Sequence, residues 1–112
     1  MLLPASCGQQ HDAESIVEDF MNEQLLDAKG LKDVEFQKLD STRIVNDSVI
    51  KHLRNRFKEN TRYRKNLVFG NPEQGRMLKY IRVNYTLNGD SCSDTYYLNA
   101  AITHVVAIKN NN

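Results

Sequence analysis

The residues best suited to acid–base chemistry lie in the C-terminal third of the chain. The strand register derived below turns His104 inward beside Tyr96, with Asp94 at the end of the same strand face and Tyr85 on the adjacent strand. Histidine titrates near neutral pH and can act as a general acid or base, so these four residues form a candidate pocket. The alternative interpretation is a hydrogen-bonded histidine at the edge of the core.

Other catalytic motifs are missing from the sequence. The histidines and cysteines form no HxxH, HxxxH, HExxH or CxxC spacing, so we predict no metal site and no cofactor. Cys92 is flanked by Asp90 and Asp94, whose carboxylates would raise the pKa of its thiol and make it a poor nucleophile. There is no serine nucleophile elbow, P-loop or GxGxxG motif. We therefore predict no catalytic residue.

A run of basic residues is the second candidate site. Residues 51–65 contain seven basic side chains and one acid, Glu59. The candidate basic surface consists of Lys51, Arg54, Lys58, Arg62, Arg64 and Lys65. Such a surface can bind the phosphates of nucleic acid or an anionic lipid surface. The sequence pI of about 7.8 disfavours nucleic acid, because nucleic-acid-binding domains are usually far more basic.

The alternative interpretation of this run is a solvent-exposed basic face whose charge balances that of an acidic face. Residues 1–47 carry ten acidic and four basic side chains, whereas residues 48–112 carry four acidic and eleven basic side chains. The two halves therefore have net charges of opposite sign, and their sum is +1. Charge segregation of this kind is typical either of a binding surface or of acidic and basic elements that lie side by side.

The N-terminus resembles the end of a bacterial lipoprotein signal. Apolar residues lead into Ala5 and Ser6, then Cys7, and then a polar stretch that begins at Gly8. In such signals small side chains admit a peptidase and the cysteine thiol accepts the lipid, so Cys7 is the predicted lipidation site. The alternative is a disordered tail on a cytosolic protein. A disulfide between Cys7 and Cys92 is possible only in an oxidising compartment. If Cys7 carries a lipid instead, the thiol of Cys92 is unpaired.

Periodicity places these residues on helices and strands. Apolar residues at three- and four-residue spacings predict helices over residues 12–29 and 47–58. Alternating apolar residues predict strands over residues 33–39, 76–87, 92–98 and 102–109. Asn88-Gly89 is predicted to form the hairpin turn between the second and third of these strands. Leu67–Phe69 is a candidate short strand.

This order predicts an α+β domain in which two helices pack on one face of an antiparallel sheet of three to five strands. The element order is α-β-α-β-β-β. We predict that residues 1–11 are a signal remnant and tether, residues 12–109 one domain, and residues 110–112 a disordered tail.

The register of the last two strands depends on a turn centred near Ala100. Such a turn puts Tyr96 opposite His104 and Leu98 opposite Ile102. If the first hairpin has a two- or a four-residue loop, the predicted inner face holds Ile81, Val83, Tyr85, Tyr96, Leu98, Ile102, His104, Val106 and Ile108. A three-residue loop would reverse this parity.

Two stretches carry a resemblance to a known group of proteins. These are Val34–Ser41, which follows a helix, and Tyr96–Asn99, which runs on into Val105-Val106. With the cysteine leader, they make residues 14–109 similar to small exported lipoproteins of Bacteroidetes bacteria, whose function is unknown. The element order also resembles cystatin-like and NTF2-like folds, which cup a helix in a curved sheet. Fold alone does not give function.

These observations predict an envelope-tethered, non-enzymatic binding or protein-interaction module. The resemblance implies export to the periplasm or outer membrane, with a lipid on Cys7 as the membrane anchor and an envelope protein or small ligand as the partner. The alternative is an NTF2-like ligand-pocket protein or hydrolase that uses His104 and Asp94. A third hypothesis is a cytosolic nucleic-acid binder that uses residues 51–65.

Overall fold

The computed structural model describes residues 5–43, 45–75 and 77–112, with side chains from Gly8 onward. The chain forms an α+β domain, as predicted. In chain order the elements are α1 (Ala5–Gln24), a 3-10 turn (Ala28–Gly30), β1 (Leu31–Phe36), β2 (Asp40–Thr42), α2 (Asp47–Phe57), β3 (Leu78–Leu87), β4 (Asp90–Leu98) and β5 (Val105–Asn110). Among the described residues, no helix combines the length and the apolar composition of a membrane span.

The first helix begins earlier and ends earlier than its periodicity predicts. Residues 5–11, predicted to be a tether, belong to α1. Gln10 anchors this part of the helix, since its amide donates to the Gln37 carbonyl (3.0 Å) and accepts from the Leu39 N–H (2.7 Å). The helix stops at Gln24, where the Gln24 carbonyl accepts from the Arg64 N–H (2.8 Å). Residues 1–4 lie outside the described residues.

The second helix agrees closely with its prediction. Asn46 caps it, because its side-chain oxygen accepts from the Val49 N–H. At its C-terminal end Phe57 joins the core that α1 covers. Ile50 instead packs with Leu78 and Val106, whose side chains lie on the opposite face of the sheet. Thus α2 shares the core with α1 and also wraps around β5, which refines the predicted one-face arrangement.

The sheet is antiparallel and centred on β3. Its order is β1-β3-β4-β5, and the short β2, which was not predicted, pairs with β3 beyond the end of β1. The predicted hairpin is confirmed: Leu87 pairs with Asp90, and Asn88 and Gly89 form the two-residue turn with φ of 53° and 87°.

The register predicted for β3 and β4 holds, but that for β5 is wrong. Tyr96 lies opposite Ile108, and Leu98 lies opposite Val105 with a bulge between Tyr97 and Leu98. The cause is a six-residue loop, Asn99 to His104, in place of a tight turn at Ala100. Polar side chains hold this loop open. The Asn99 Oδ1 accepts from the Thr103 and His104 N–H groups (both 2.8 Å).

This shift moves two residues off the predicted inner face. His104 lies in the loop and is exposed, and Val106 packs on the far side with Ile50. The other seven predicted inner residues belong to the buried core under α1.

Two smaller predictions are also wrong. Leu67–Phe69 is not a strand. The predicted disordered tail is ordered, since Asn110 belongs to β5 and the Asn111 N–H donates to the Ser93 carbonyl (2.9 Å). Asparagine amides carry both donors and acceptors, so Asn111 and Asn112 extend the pairing of β5 with β4.

Candidate functional site

The predicted pocket assembles only in part. Tyr85, Asp94 and Tyr96 come together inside the core. His104 does not reach them, because its exposed side chain lies over the backbone of Gly70, where an added Cβ would be 2.4 Å from the His104 Cβ. The structure therefore does not form the predicted acid–base pair of His104 and Asp94.

Asp94 is instead the centre of a buried polar network. Its fully buried carboxylate accepts from Arg62 Nη2 (2.8 Å), from the Tyr63 hydroxyl (2.8 Å) and from the Tyr85 hydroxyl (2.5 Å). The Tyr63 and Tyr96 hydroxyls are 2.7 Å apart. Because Tyr63 gives its only proton to Asp94, Tyr96 must donate to Tyr63. We call these five residues the Asp94 cluster.

Local turn chemistry positions two members of this cluster. The Asn60 Oδ1 accepts from the N–H groups of Arg62 (3.0 Å) and Tyr63 (2.7 Å), which fixes the turn after α2. Leu25 then bridges to Tyr63, which holds Tyr63 under the end of α1. Sequence reasoning missed Tyr63. The only signals were an asparagine after a helix and a tyrosine within a basic run.

The electrostatics of the Asp94 cluster keep its tyrosines protonated. Burial raises the pKa of Tyr63, Tyr85 and Tyr96 well above the ordinary value, and the negative charge of Asp94 raises each pKa further. Partial burial is the largest single effect on the pKa of Arg62 and lowers it, but Asp94, Tyr85, Cys92 and Tyr63 together raise this pKa above its ordinary value, so Arg62 stays charged. The cluster is therefore one carboxylate, one guanidinium and three neutral hydroxyl groups.

This arrangement fits a structural role better than catalysis. Asp94 has three donors on its two oxygens, and none of the three cavities described below is lined by Asp94 or the three tyrosines of the cluster. Cys92 lies nearby and is buried. Burial raises the pKa of its thiol, and Asp94 and Asp90 raise it further, in the direction predicted from the sequence.

The predicted basic surface is divided by the fold. Arg62 turns inward to Asp94. Arg54 is committed to the backbone, because its Nε donates to the Val106 carbonyl (2.8 Å) and its Nη2 to the Gly70 carbonyl (2.9 Å). The guanidinium of Arg54 also lies over the Phe69 ring, 5.5 Å from its centroid. The remaining four cations are Lys51, Lys58, Arg64 and Lys65.

These four cations and Arg54 line one groove between α2 and the segment of residues 60–78. The groove has a volume of about 990 Å³. We call it the α2 groove. Its apolar lining includes Ile50, Phe57, Leu67, Val68, Phe69 and Leu78, and its two acidic residues are Asp47 and Glu73.

The positive charge in the α2 groove is not neutralised by carboxylates. In the described part of the chain, Lys51 and Lys58 make no ion pair. Arg64 donates to the Glu23 carbonyl oxygen (3.1 Å), and Lys65 donates to the carbonyl oxygens of Lys58 and Asn60. Neutral carbonyls leave the formal charge in place, so four cations remain available to an anionic ligand.

Two further cavities border the same region. One, of about 970 Å³, lies on the other side of α2 and is lined by Tyr80, Tyr97 and His52 among others. A smaller one, of about 300 Å³, is lined by His104, Asp19 and Glu23. The larger of the two also has three cations, Arg43, Arg56 and Lys109, beside apolar residues, whereas the α2 groove has five. No group of three histidine, cysteine, aspartate or glutamate residues suited to a metal ion occurs among the described residues.

Comparisons with known proteins identify no family for this chain. No protein-family model matches the chain, and searches of curated proteins and of solved structures found no match. The resemblance to Bacteroidetes lipoproteins and to cystatin-like or NTF2-like folds therefore stays a prediction. What the chain can do has to be inferred from the α2 groove.

Proposed function

We propose that this protein is a non-enzymatic binding module whose α2 groove binds an anionic ligand with an apolar part. One observation carries the proposal: Lys51, Lys58, Arg64 and Lys65 surround a groove with apolar walls, and none of the four makes an ion pair with a carboxylate in the described part of the chain. A concave site with apolar walls and a few convergent charges is the usual form of a ligand site.

The burial of the alternative surface supports this choice. Tyr85 and Tyr96, which would have met a ligand on the sheet face, are buried under α1. Asp94 is fully buried beside them, and the three cavities formed by the described residues do not include it. The basic face is the remaining one of the two predicted binding surfaces.

The membrane anchor belongs to the same proposal. The leader-like sequence before Cys7 supports a lipid on that cysteine, whose side chain lies outside the described ones. Cys7 is in the first turns of α1, and Arg64 contacts Glu23 near the other end. Sixteen residues of helix separate Cys7 from Glu23, or about 24 Å at a rise of about 1.5 Å per residue. A lipid on Cys7 would therefore lie about 24 Å along α1 from Glu23, the residue that Arg64 of the α2 groove contacts.

Ligand-observed NMR tests the binding proposal. The probes are octanoate and phenyl phosphate, each of which joins an anionic group to an apolar part, and octanamide serves as the uncharged control. We expect both anions to bind and octanamide to bind more weakly. The double variant Lys51→Glu with Lys58→Glu should lose the anions. The matched double variant Lys29→Glu with Lys38→Glu changes two exposed lysines outside the groove and should keep them.

Equal binding of the anions by both double variants would contradict the α2 groove as the site. The anchor is tested separately, by mass spectrometry of the protein expressed with its genomic leader in a bacterial host. We expect a diacylglyceryl adduct that is absent from Cys7→Ser, and an unmodified Cys7 would remove the anchor without affecting the groove.

A further inference from the structure

The α2 groove contains a stretch of backbone that has no hydrogen-bond partner. In the part of the chain that the structure describes, the N–H and C=O groups of Leu67, Val68 and Phe69 make no hydrogen bond. The stretch is fixed on both sides, because the Arg64 N–H donates to Gln24 (2.8 Å) and the Gly70 N–H donates to Val105 (2.9 Å).

The side chains of this stretch alternate as they do in a strand. Leu67 and Phe69 are half-buried against the core, whereas Val68 is 87 % exposed between them. Successive side chains on opposite sides are typical of an extended backbone, whose peptide groups then point sideways. Unpaired peptide groups in an extended segment form a template for another strand.

From this geometry we infer that the α2 groove binds an extended acidic peptide of a partner protein, which pairs through its backbone with residues 67–69. The inference rests on the proposed function and names the ligand of the same site. Strand addition of this kind takes its affinity from main-chain hydrogen bonds and its specificity from alternate side chains.

The charges around the groove fit acidic side chains on such a peptide. Lys51 and Lys58 lie on α2, seven residues apart and therefore on one face, and Lys65 lies just before the unpaired stretch. The peptide side chains that face α2 would thus meet ammonium groups. The alternate side chains would lie towards the exposed Val68, where apolar residues are favoured.

A uniform polyanion fits the groove less well. Asp47 and Glu73 line the same groove and would repel a continuous row of phosphates. Phe57 is buried, and the ring of Phe69 already packs against Phe20 and Arg54, so neither ring is free to stack on a base. The net charge of +1 also gives little long-range attraction to nucleic acid or to an anionic membrane. A segment that alternates acidic and apolar residues avoids these three difficulties.

The test uses a fluorescein-labelled, end-capped hexapeptide in which glutamate and valine alternate, measured by fluorescence anisotropy. The matched control has the same sequence with an N-methyl group on every residue, which removes the backbone donors from both edges of the peptide and leaves the charge unchanged. We expect the N-methylated peptide to bind at least about tenfold more weakly, a loss comparable to two or three net hydrogen bonds. The Lys51→Glu, Lys58→Glu double variant should lose the unmodified peptide, and the Lys29→Glu, Lys38→Glu double variant should retain it.

Three results would overturn the inference. Equal binding of both peptides would exclude backbone pairing. Tighter binding of oligothymidylate, or of phosphatidylglycerol vesicles, in a manner sensitive to the groove variants would assign the groove to a different macromolecule. Binding of octanoate in the groove without binding of the peptide would leave the proposed function intact and remove the peptide.

Discussion

The Arg62 guanidinium lies 2.8 Å from the carboxylate of Asp94, an ion pair in which Asp94 is fully buried and the Arg62 side chain is 20 % exposed. The pair joins the turn after α2 to the middle of β4, across 32 positions of sequence. Arg62, which was predicted to lie on the basic surface, and Asp94, which was predicted to lie in a pocket, are thus both part of the core.

Removing the charge of Asp94 should destabilise the fold strongly. In Asp94→Asn the side chain keeps its size, but Arg62 loses its counter-ion. One of the two acceptor oxygens is also replaced by an NH₂ group, which can only donate. We expect the free energy of unfolding in urea to fall by about 3 kcal/mol, near the lower end for breaking a buried pair because Arg62 is partly exposed. Asp90→Asn, at an exposed position of the same strand, should change it by less than about 0.5 kcal/mol. A fall as small as that of the control would contradict a stabilising role for the Asp94 cluster.

Tyr63 and Tyr96, two of the three tyrosines of the cluster, should differ in their contribution to stability. Tyr63→Phe removes a donor to Asp94 and also leaves the Tyr96 hydroxyl without its acceptor, at a cost of about 2–3 kcal/mol. Tyr96→Phe removes only the terminal donor of the chain and should cost about 1 kcal/mol. Urea denaturation of both variants checks the order. A larger loss for Tyr96→Phe would mean that the hydrogen bond between the two hydroxyls runs in the other direction.

Stability should fall in alkaline solution. Folding raises the pKa of Tyr63, Tyr85 and Tyr96 above the ordinary value of 10.0, chiefly through burial. Above pH 10 the unfolded chain therefore loses tyrosine protons that the folded chain keeps, and the free energy of unfolding decreases as the pH rises. Each tyrosine contributes a slope of up to about 1.4 kcal/mol per pH unit. Urea titrations between pH 8 and 11 should show a decline that begins near pH 9, where the Cys92 thiol starts to contribute because burial raises its pKa as well, and that steepens above pH 10.

The same titration on Tyr96→Phe provides the control. Its decline should be shallower by the share of one tyrosine, because phenylalanine has no proton to lose. An identical slope would show that other groups cause the alkaline loss.

Gly70 and His104 should behave as a coupled pair. A Cβ at position 70 would lie 2.4 Å from the His104 Cβ, so Gly70→Ala should destabilise by about 1–3 kcal/mol. His104→Ala alone should have a small effect, since His104 is exposed. His104→Ala keeps the Cβ at position 104, so in the double variant the contact between the two Cβ atoms remains and only the contact with the imidazole ring (2.5 Å to Cγ) is relieved. The double variant should therefore recover part of the stability that Gly70→Ala loses. Strict additivity of the two substitutions in a thermal or urea denaturation cycle would contradict this packing.

The sequence predicts the elements whose signals are local. Asn46 caps α2, and Asn88-Gly89 closes the hairpin between β3 and β4, so both could be located within a few residues. The loop before β5 could not be. Its shape depends on Glu73, whose carboxylate accepts from the N–H groups of Ala100 and Ala101 (both 2.9 Å) from more than 25 positions away.

Ile102 in the same loop illustrates this limit. Its φ of 57° is rare for a β-branched residue and costs about 1–3 kcal/mol. Burial of its side chain in the core compensates for this cost. No residue-type signal predicts a left-handed isoleucine, and an error in this loop shifts the whole register of β5 and moves His104 out of the candidate pocket.

The sequence predicts the cations of the candidate site, but it does not predict the groove that they line. Spacing along α2 puts Lys51 and Lys58 together, which is a local property of the helix. The inward turn of Arg62 and the attachment of Arg54 to Val106 and Gly70 depend on contacts made only after folding. The unpaired backbone at residues 67–69 was hidden for the same reason, because a short apolar run predicts a strand and does not show whether that strand has a neighbour.

Chemical-shift mapping tests the central claim most directly. Two-dimensional ¹⁵N NMR spectra of the protein would be recorded as octanoate is added. We predict that the amide signals that move are those of α2 and of residues 64–75, with residues along the α2 groove shifting most. Shifts centred instead on Tyr80 and Tyr97 in the cavity on the other side of α2, or no shifts at all, would contradict the α2 groove as the binding site.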